Sequence, residues 1–349
     1  MRNNNVLPEL DGLRAVAAFG ILTTHVAFQT GVTSGLAERL DYFVAVFFAL
    51  SAFLLARGEW RRGGYFRRRV ARLAPAYLTC VVVVLLALPP LTAVTPAQAL
   101  ANLLLIQIYV PHGLIDGLTQ MWSLCVEVAF YLVLPVYMSL GKKGRWGALC
   151  LLTPAALTYP HLIGSLDADI HEAVNLQIWP PSYIPWFAVG LICAELEREG
   201  VSYRGPRWPF PLAALAVAWF AGQIGPAGLT HPTPAEFNAR VILGTAFAAL
   251  LLVPFALGRD ARGPRTRGTV LSWPPVVALG RWSYSVFLWH VAVLYFAFPV
   301  LGVPLFSGHF VPVWLFTAVV STAVAYISYE LVEVPAARVI TRRWAGDSG

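Results

Sequence analysis

The sequence predicts an all-α integral membrane protein: about ten transmembrane helices plus one re-entrant or interfacial segment, with both termini cytoplasmic. Three observations carry that prediction. Of 349 residues, 58% are hydrophobic and only 12% charged, where soluble domains carry about 25%. Several apolar stretches reach the ~18 residues that a spanning helix needs. The basic residues gather in alternate connections, as membrane topology requires.

Taken in order, the apolar stretches lie near 8–28, 41–56, 73–91, 98–110, 120–140, 146–163, 182–197, 209–222, 239–257, 275–299 and 312–334. The connection 57–72 holds seven arginines and one acid and reads as cytoplasmic. Lys142, Lys143 and Arg145 mark a second inner loop; Arg198, Arg204 and Arg207 a third; Arg259 to Arg267 a fourth; and Arg338 to Arg343 an inner tail. The connections near 29–40, 92–119, 164–181, 223–238 and 300–311 contain a single basic residue, Arg39. If 98–110 crossed, the basic loop at 142–145 would fall outside, so this stretch reads as the re-entrant or interfacial one. No internal repeat or low-complexity region stands out, and one domain, 1–349, is expected, without an appended soluble domain.

The net charge of +7 is a topology signal and does not point to nucleic acid. Cys80, Cys125, Cys150 and Cys193 fall in or beside apolar spans without metal-ligand spacing, and read as buried thiols. The first apolar stretch lacks a small-residue cleavage site and reads as a retained helix.

That helix is also the least ordinary. It carries Glu9, Asp11, Arg14 and His25, and charge inside a membrane helix costs at least ~2.5 kcal/mol near the centre, which marks such residues as functional candidates. Arg14 and His25 are eleven positions apart, about three turns and roughly 16 Å of rise, hence on one face. Asp11 shares it. In the predicted topology His25, Glu127 and His290 sit in the outer halves of three helices, while Arg14, Glu330 and Glu333 form an inner polar level. An imidazole with a carboxylate to orient it suits proton abstraction. The inner level suits either an anionic ligand from the cytoplasm or simple anchoring of Arg14 by the two acids. His290 has a plain alternative as a core histidine bonded to a backbone carbonyl.

Six stretches resemble motifs of the membrane-bound acyltransferase type 3 family, typified by bacterial O-acetylases of surface polysaccharides, in that family's order. LDGLRAVAAFGILTTH resembles its Arg-x10-His motif, on Arg14 and His25. FFALSAFLLAR resembles its second-helix element, with Ala52 where glycine is usual. RRRVARLAPAY is similar to its Arg-x-x-Arg loop and Pro-x-Tyr, on Arg69, Arg72, Pro75 and Tyr77. WSLCVEVAFYLVLP matches Trp122, Ser123, Glu127, Phe130, Tyr131 and Pro135. GRWSYSVFLWH matches Gly280, Ser283, Tyr284 and His290, and a closing Glu-x-Pro falls on Glu333 and Pro335.

The resemblance implies transfer of an acyl group, acetyl being the expected one, from acyl-CoA to a hydroxyl of a sugar-containing acceptor: a surface glycan or a glycosylated natural product. Its site residues would be His25 and Glu127 for catalysis, and Arg14, Arg69, Arg72 and Tyr77 for the donor. Asp11, Trp122, Ser123, Ser283, Tyr284, His290, Glu330 and Glu333 would shape the site. In this reading His25 is the general base, or an acyl-carrying nucleophile, and Glu127 orients or charge-compensates it. Acyl-CoA is a co-substrate, no cofactor is bound, and no metal is needed because a thioester is already activated. Many relatives carry an extracytoplasmic hydrolase-like domain; a chain ending at Gly349 is expected to complete transfer within its membrane domain. The expected location is a bacterial inner membrane, with the bilayer as the other partner. Outer-loop residues Asp167, Asp169, Glu172, His161, His171, His231 and His309 read first as solvated surface, and otherwise as an acceptor entrance. The main alternative is a secondary transporter with an intramembrane His/Glu/Arg relay. A scaffold or sensor would leave those charges without a task.

Overall fold

A computed structural model describes residues 7–32, 34–58, 64–88, 94–164, 174–225, 231–258 and 269–346. Helices α1 (Pro8–Thr30), α2 (Gly35–Arg39), α3 (Phe43–Ala56), α4 (Tyr65–Ala87), α5 (Pro96–Leu103), α6 (Trp122–Ser139) and α7 (Lys142–Ala155) form the first half. The second half comprises α8 (Tyr159–Ile163), α9 (Ile184–Arg198), α10 (Pro209–Ala221), α11 (Pro234–Ala256), α12 (Pro274–Leu301), α13 (Phe310–Ser328) and α14 (Val334–Gly346). Among the described residues the one β interaction is an isolated bridge between Tyr203 and Gly258.

Among the described residues six helical segments are long and apolar enough to cross a membrane: Gly35–Ala56, Tyr65–Ala87, Thr119–Ser139, Pro234–Ala256, Pro274–Leu301 and Phe310–Ile340. About ten were expected. The difference has physical causes. α1 has 23 residues but is diluted by Glu9, Asp11, Arg14 and His25, while α7, α9 and α10 have 14, 15 and 13 residues. α5, with eight residues, rises only about 12 Å and cannot cross. Around the bundle Leu86, Leu132, Val133, Val136, Val319 and Leu331 are exposed, a surface suited to lipid rather than water.

α4 corrects one expectation. It begins at Tyr65, so Arg67, Arg68, Arg69 and Arg72 occupy its first turns instead of a loop. Arginine is a good helix former, and Gly64, in the left-handed conformation at φ 85°, lets the chain turn into the helix. The expected inner loop at Arg259–Arg267 and the acceptor-entrance candidates Asp167, Asp169, His171 and Glu172 lie outside the described residues.

α1 is the hub, packing on α12 most extensively and also on α3 and α13. The α1–α12 approach is set by absent side chains: a Cβ on Gly280 would lie 1.9 Å from the Asp11 carbonyl oxygen, and one on Gly12 would lie 2.0 Å from that of Leu271, in the turn Val270–Ser272 that leads into α12. A second tight seam joins α3 to α9, where a Cβ on Gly190 would lie 2.0 Å from the Ala49 carbonyl oxygen and 2.8 Å from the Ala52 methyl. Ala52 is fully buried. The glycine opposite makes room for the methyl group it adds to the usual pattern. Phe48, Phe187 and Phe130 stack in series, with centroids 4.4 and 4.2 Å apart, and stiffen this seam. One end of it is closed by ion pairs. Arg57 meets Glu197 at 2.5 Å, Arg145 binds Glu195 through two nitrogens at 2.8 and 3.1 Å, and Arg198 donates to Glu195 and to the Ala56 carbonyl.

Gly280→Ala is expected to lower the thermal midpoint and folded yield of the purified protein, by more than about 1 kcal/mol of stability if α1 and α12 must separate. Gly147→Ala on exposed α7, where an added Cβ meets nothing within 4 Å, should be neutral or stabilise by up to about 1 kcal/mol. Equal midpoints for both variants would contradict the packing account.

Candidate active site

Five helices, α1, α3, α4, α6 and α12, enclose an open cavity of about 1010 Å³, counting the part continuous with solvent. One end is strongly polar. Arg14, Arg69, Arg72, Glu127, Tyr131 and Ser51 line it. Tyr131 lies one turn after Glu127 and donates to its Oε1 at 2.6 Å. With that proton committed, Ser51 donates in turn to the Tyr131 oxygen at 3.3 Å. Three guanidinium groups thus share the cavity with one carboxylate. The Nε groups of Arg14 and Arg69 are buried and have no hydrogen-bond partner among the described residues, an arrangement that costs stability unless a ligand or water completes it.

The acids expected to anchor Arg14 do not do so directly. Residues Tyr329–Glu333 form a π-helical turn between α13 and α14, which buries Glu333 and leaves Glu330 exposed. Glu333 accepts from Ser285 on α12 at 3.2 Å. Among the described residues neither acid forms an ion pair with Arg14 within 4.0 Å. Asp11 lies one turn before Arg14 and contributes its carbonyl to the Gly280 contact.

The other walls are apolar, with Ile21, Val44, Phe47, Phe48, Leu124 and Phe287 among them. One turn beyond Ile21 and Phe287 stand His25 and His290. His25 Nδ1 and His290 Nε2 are 2.8 Å apart. His290 is buried at 1% exposure, and its Nδ1 lies 2.8 Å from the Phe287 carbonyl and 3.1 Å from that of Val286. The plain reading of His290, a core histidine on a backbone carbonyl, is therefore right as far as it goes, but the ring also holds His25.

The remaining candidates divide. Ser123 and Tyr284 line the cavity; Tyr284 also donates to the Leu73 carbonyl at 3.0 Å, fixing α12 to α4. Ser283 is buried with no partner for its hydroxyl among the described residues. Tyr77 and Trp122 are not cavity-lining: Tyr77 donates to the Asn102 carbonyl, and the Trp122 ring packs on Tyr183 at 5.2 Å. His161, His231 and His309 are exposed, and His309 bonds Ser307 at 2.8 Å. Among the described residues no group of three or more His, Cys, Asp or Glu could hold a metal ion.

Tyr131 and Ser51 are site residues that the sequence reading quoted only as motif neighbours. The four-residue spacing of Glu127 and Tyr131, which puts both on one helix face, is the signal that could have found the first. Asn102, Gln107 and Gln120 are buried carboxamides near the same helices; Gln120 donates to the Leu288 carbonyl at 3.0 Å. Nothing in their sequence context marked them.

The chain is 30% identical to "Acyltransferase MdmB" of Streptomyces mycarofaciens over 85% of its own length and 81% of the relative's. It is 23% identical to "O-acetyltransferase OatA" of Staphylococcus aureus. It is 24% identical to "Putative peptidoglycan O-acetyltransferase YrhL" of Bacillus subtilis. Those two alignments cover 96% of this chain but only 58% and 55% of the relatives. No solved structure matches. The family model described as an acyltransferase domain matches residues 7–330, a span that takes in the arginine cavity and the histidine pair. The chain therefore belongs to the membrane-bound acyltransferase type 3 family and is an O-acyltransferase.

Proposed function

We propose that the protein is a bacterial inner-membrane enzyme that moves an acyl group, acetyl in the first instance, from acyl-CoA to a hydroxyl of a sugar-containing acceptor. The observation that carries the reading is the cavity itself, lined by three guanidiniums and by apolar side chains, among them Ile21 and Phe287, which stand one turn before His25 and His290. The donor's phosphates would meet Arg14, Arg69 and Arg72, whose planar forks suit phosphate oxygens. Because Arg69 and Arg72 stand in the first turns of α4, the positive end of that helix adds to their field. Glu127, held by Tyr131, balances part of the charge when the donor is absent.

Arg14 and His25 are separated by roughly 16 Å of helix rise, a length that an extended pantetheine arm spans. The thioester would then lie beside His25. As the acceptor hydroxyl attacks the thioester carbonyl, His25 takes its proton. Collapse of the tetrahedral intermediate breaks the C–S bond, and the proton returns to the departing thiolate, giving an ester and free CoA. A topology of ten crossings with both termini inside puts the arginine end on the cytoplasmic side, where acyl-CoA is made. In this scheme the arginines, His25 and Glu127 all belong to the membrane domain. The names of OatA and YrhL, an O-acetyltransferase and a putative peptidoglycan O-acetyltransferase, support a glycan hydroxyl as acceptor.

Replacing Arg69 and Arg72 together with alanine should weaken acetyl-CoA binding by at least about 100-fold, since each charged hydrogen bond is worth roughly 1.5–3 kcal/mol. Calorimetry on protein of wild-type folded yield measures this, and unchanged affinity would remove the arginines from the donor site. His25→Ala should abolish acyl transfer while acetyl-CoA still binds. Retained transfer by that variant would take His25 out of the chemistry.

A further inference from the structure

The hydrogen bonds through the histidine pair run in one direction. His290 Nδ1 faces two backbone carbonyls, those of Phe287 and Val286, at 2.8 and 3.1 Å. A carbonyl only accepts, so this nitrogen carries a proton. It is the same back-bonding to the preceding turn that serine and threonine make within helices. In the neutral ring the other nitrogen, Nε2, is then an acceptor. It lies 2.8 Å from His25 Nδ1, so His25 donates from Nδ1 and keeps the lone pair on its own Nε2. The two rings are tilted by only 20° with centroids 5.0 Å apart. At that separation, with the nitrogens at hydrogen-bond distance, they meet edge to edge, as an in-plane hydrogen bond requires.

We propose that His290 is a positioning residue that relays a backbone carbonyl of α12 to His25 and so fixes His25 in the Nδ1–H tautomer, with Nε2 as the proton-accepting atom. The proposal rests on the reading of His25 as the base. An unconstrained histidine prefers the opposite tautomer, with its proton on Nε2, which would leave no lone pair there to take a proton. In many enzymes a carboxylate does this orienting work. Here the orienting group is a neutral imidazole, which avoids placing another charge at this depth in the membrane. Once His25 has accepted a proton, its Nδ1–H bond to His290 persists, and the new positive charge is stabilised by the lone pair of the second ring. His25 is half-buried whereas His290 is fully buried, so the ring left within reach of a substrate is the one whose proton position is controlled.

The test combines a spectroscopic and a kinetic readout on the full-length protein in lipid nanodiscs. Nitrogen-15 spectra of histidine-labelled wild type, with His25 assigned by its loss in His25→Ala, should show Nδ1 protonated and Nε2 bare. In His290→Phe the tautomer should shift to Nε2–H, and CoA release from acetyl-CoA in the presence of acceptor should fall by roughly 100-fold or more, the usual contribution of a positioned base. Acetyl-CoA affinity should be unchanged. His290→Gln, whose amide oxygen can accept from His25 while its NH2 donates to the Phe287 carbonyl, should keep the Nδ1–H tautomer and recover at least about tenfold of that loss. An Nε2-protonated His25 in the wild type would overturn the proposal whatever the variants do. So would a His290→Phe enzyme with wild-type tautomer and rate. If instead His25→Ala retained transfer, the base assignment would fall, while the wild-type spectrum would still decide the relay.

Discussion

The structure depends on how closely α1 can approach α12. In a bilayer there is little hydrophobic force to drive helices together, so association relies on close packing and hydrogen bonds. Gly12 and Gly280 provide the packing at one end, each facing a carbonyl oxygen that leaves no space for a side chain. About three and a half turns further along α1, the same pair of helices is joined by the His25–His290 hydrogen bond. Everything the polar face of α1 presents is placed by this seam. Arg14 is directed into the cavity and His25 is brought to its partner.

Electrostatics then gives the cavity its polarity. Three guanidiniums, one carboxylate and two unsatisfied buried Nε groups leave an excess of positive charge and of donors in surroundings of low dielectric, where their effect on an anion is strengthened. The cavity's apolar walls offer nothing to a phosphate and suit a weakly polar chain. A ligand that is anionic at one end and weakly polar along its length matches both parts. Glu333 takes a quieter part: bonded to Ser285, it ties the π turn after α13 to α12 and leaves Arg14 free of a direct acidic partner among the described residues.

Much of this was legible in the sequence because polar residues inside apolar helices have few reasons to be there. The shared face of Arg14 and His25 followed from helical periodicity, but Glu127, expected at the level of His25 and His290, lines the cavity with Arg14, Arg69 and Arg72 instead. Other features were not legible, for particular reasons. The start of α4 was hidden because an arginine run is as compatible with helix as with a cytoplasmic loop. Glu330 and Glu333 look equivalent at i, i+3 spacing, and only the wider π turn separates them. Tyr77 and Trp122 carry motif identity, but their contacts, with Asn102 and Tyr183, are made across long sequence separations that no local pattern encodes. The direct bond between His25 and His290 spans 265 positions, and periodicity on either helix is silent about it.

The central claim, that acyl-CoA is the donor and that its thioester is consumed within this membrane domain, is tested most directly by following free CoA and acyl label together. The experiment uses purified wild-type protein with labelled acetyl-CoA and a panel of glycan acceptors. The account predicts saturable binding of acetyl-CoA, acceptor-dependent release of free CoA, and label appearing in an ester on the acceptor in equal amount. Absence of both binding and turnover, with acetyl-CoA and with longer acyl-CoAs alike, would contradict it.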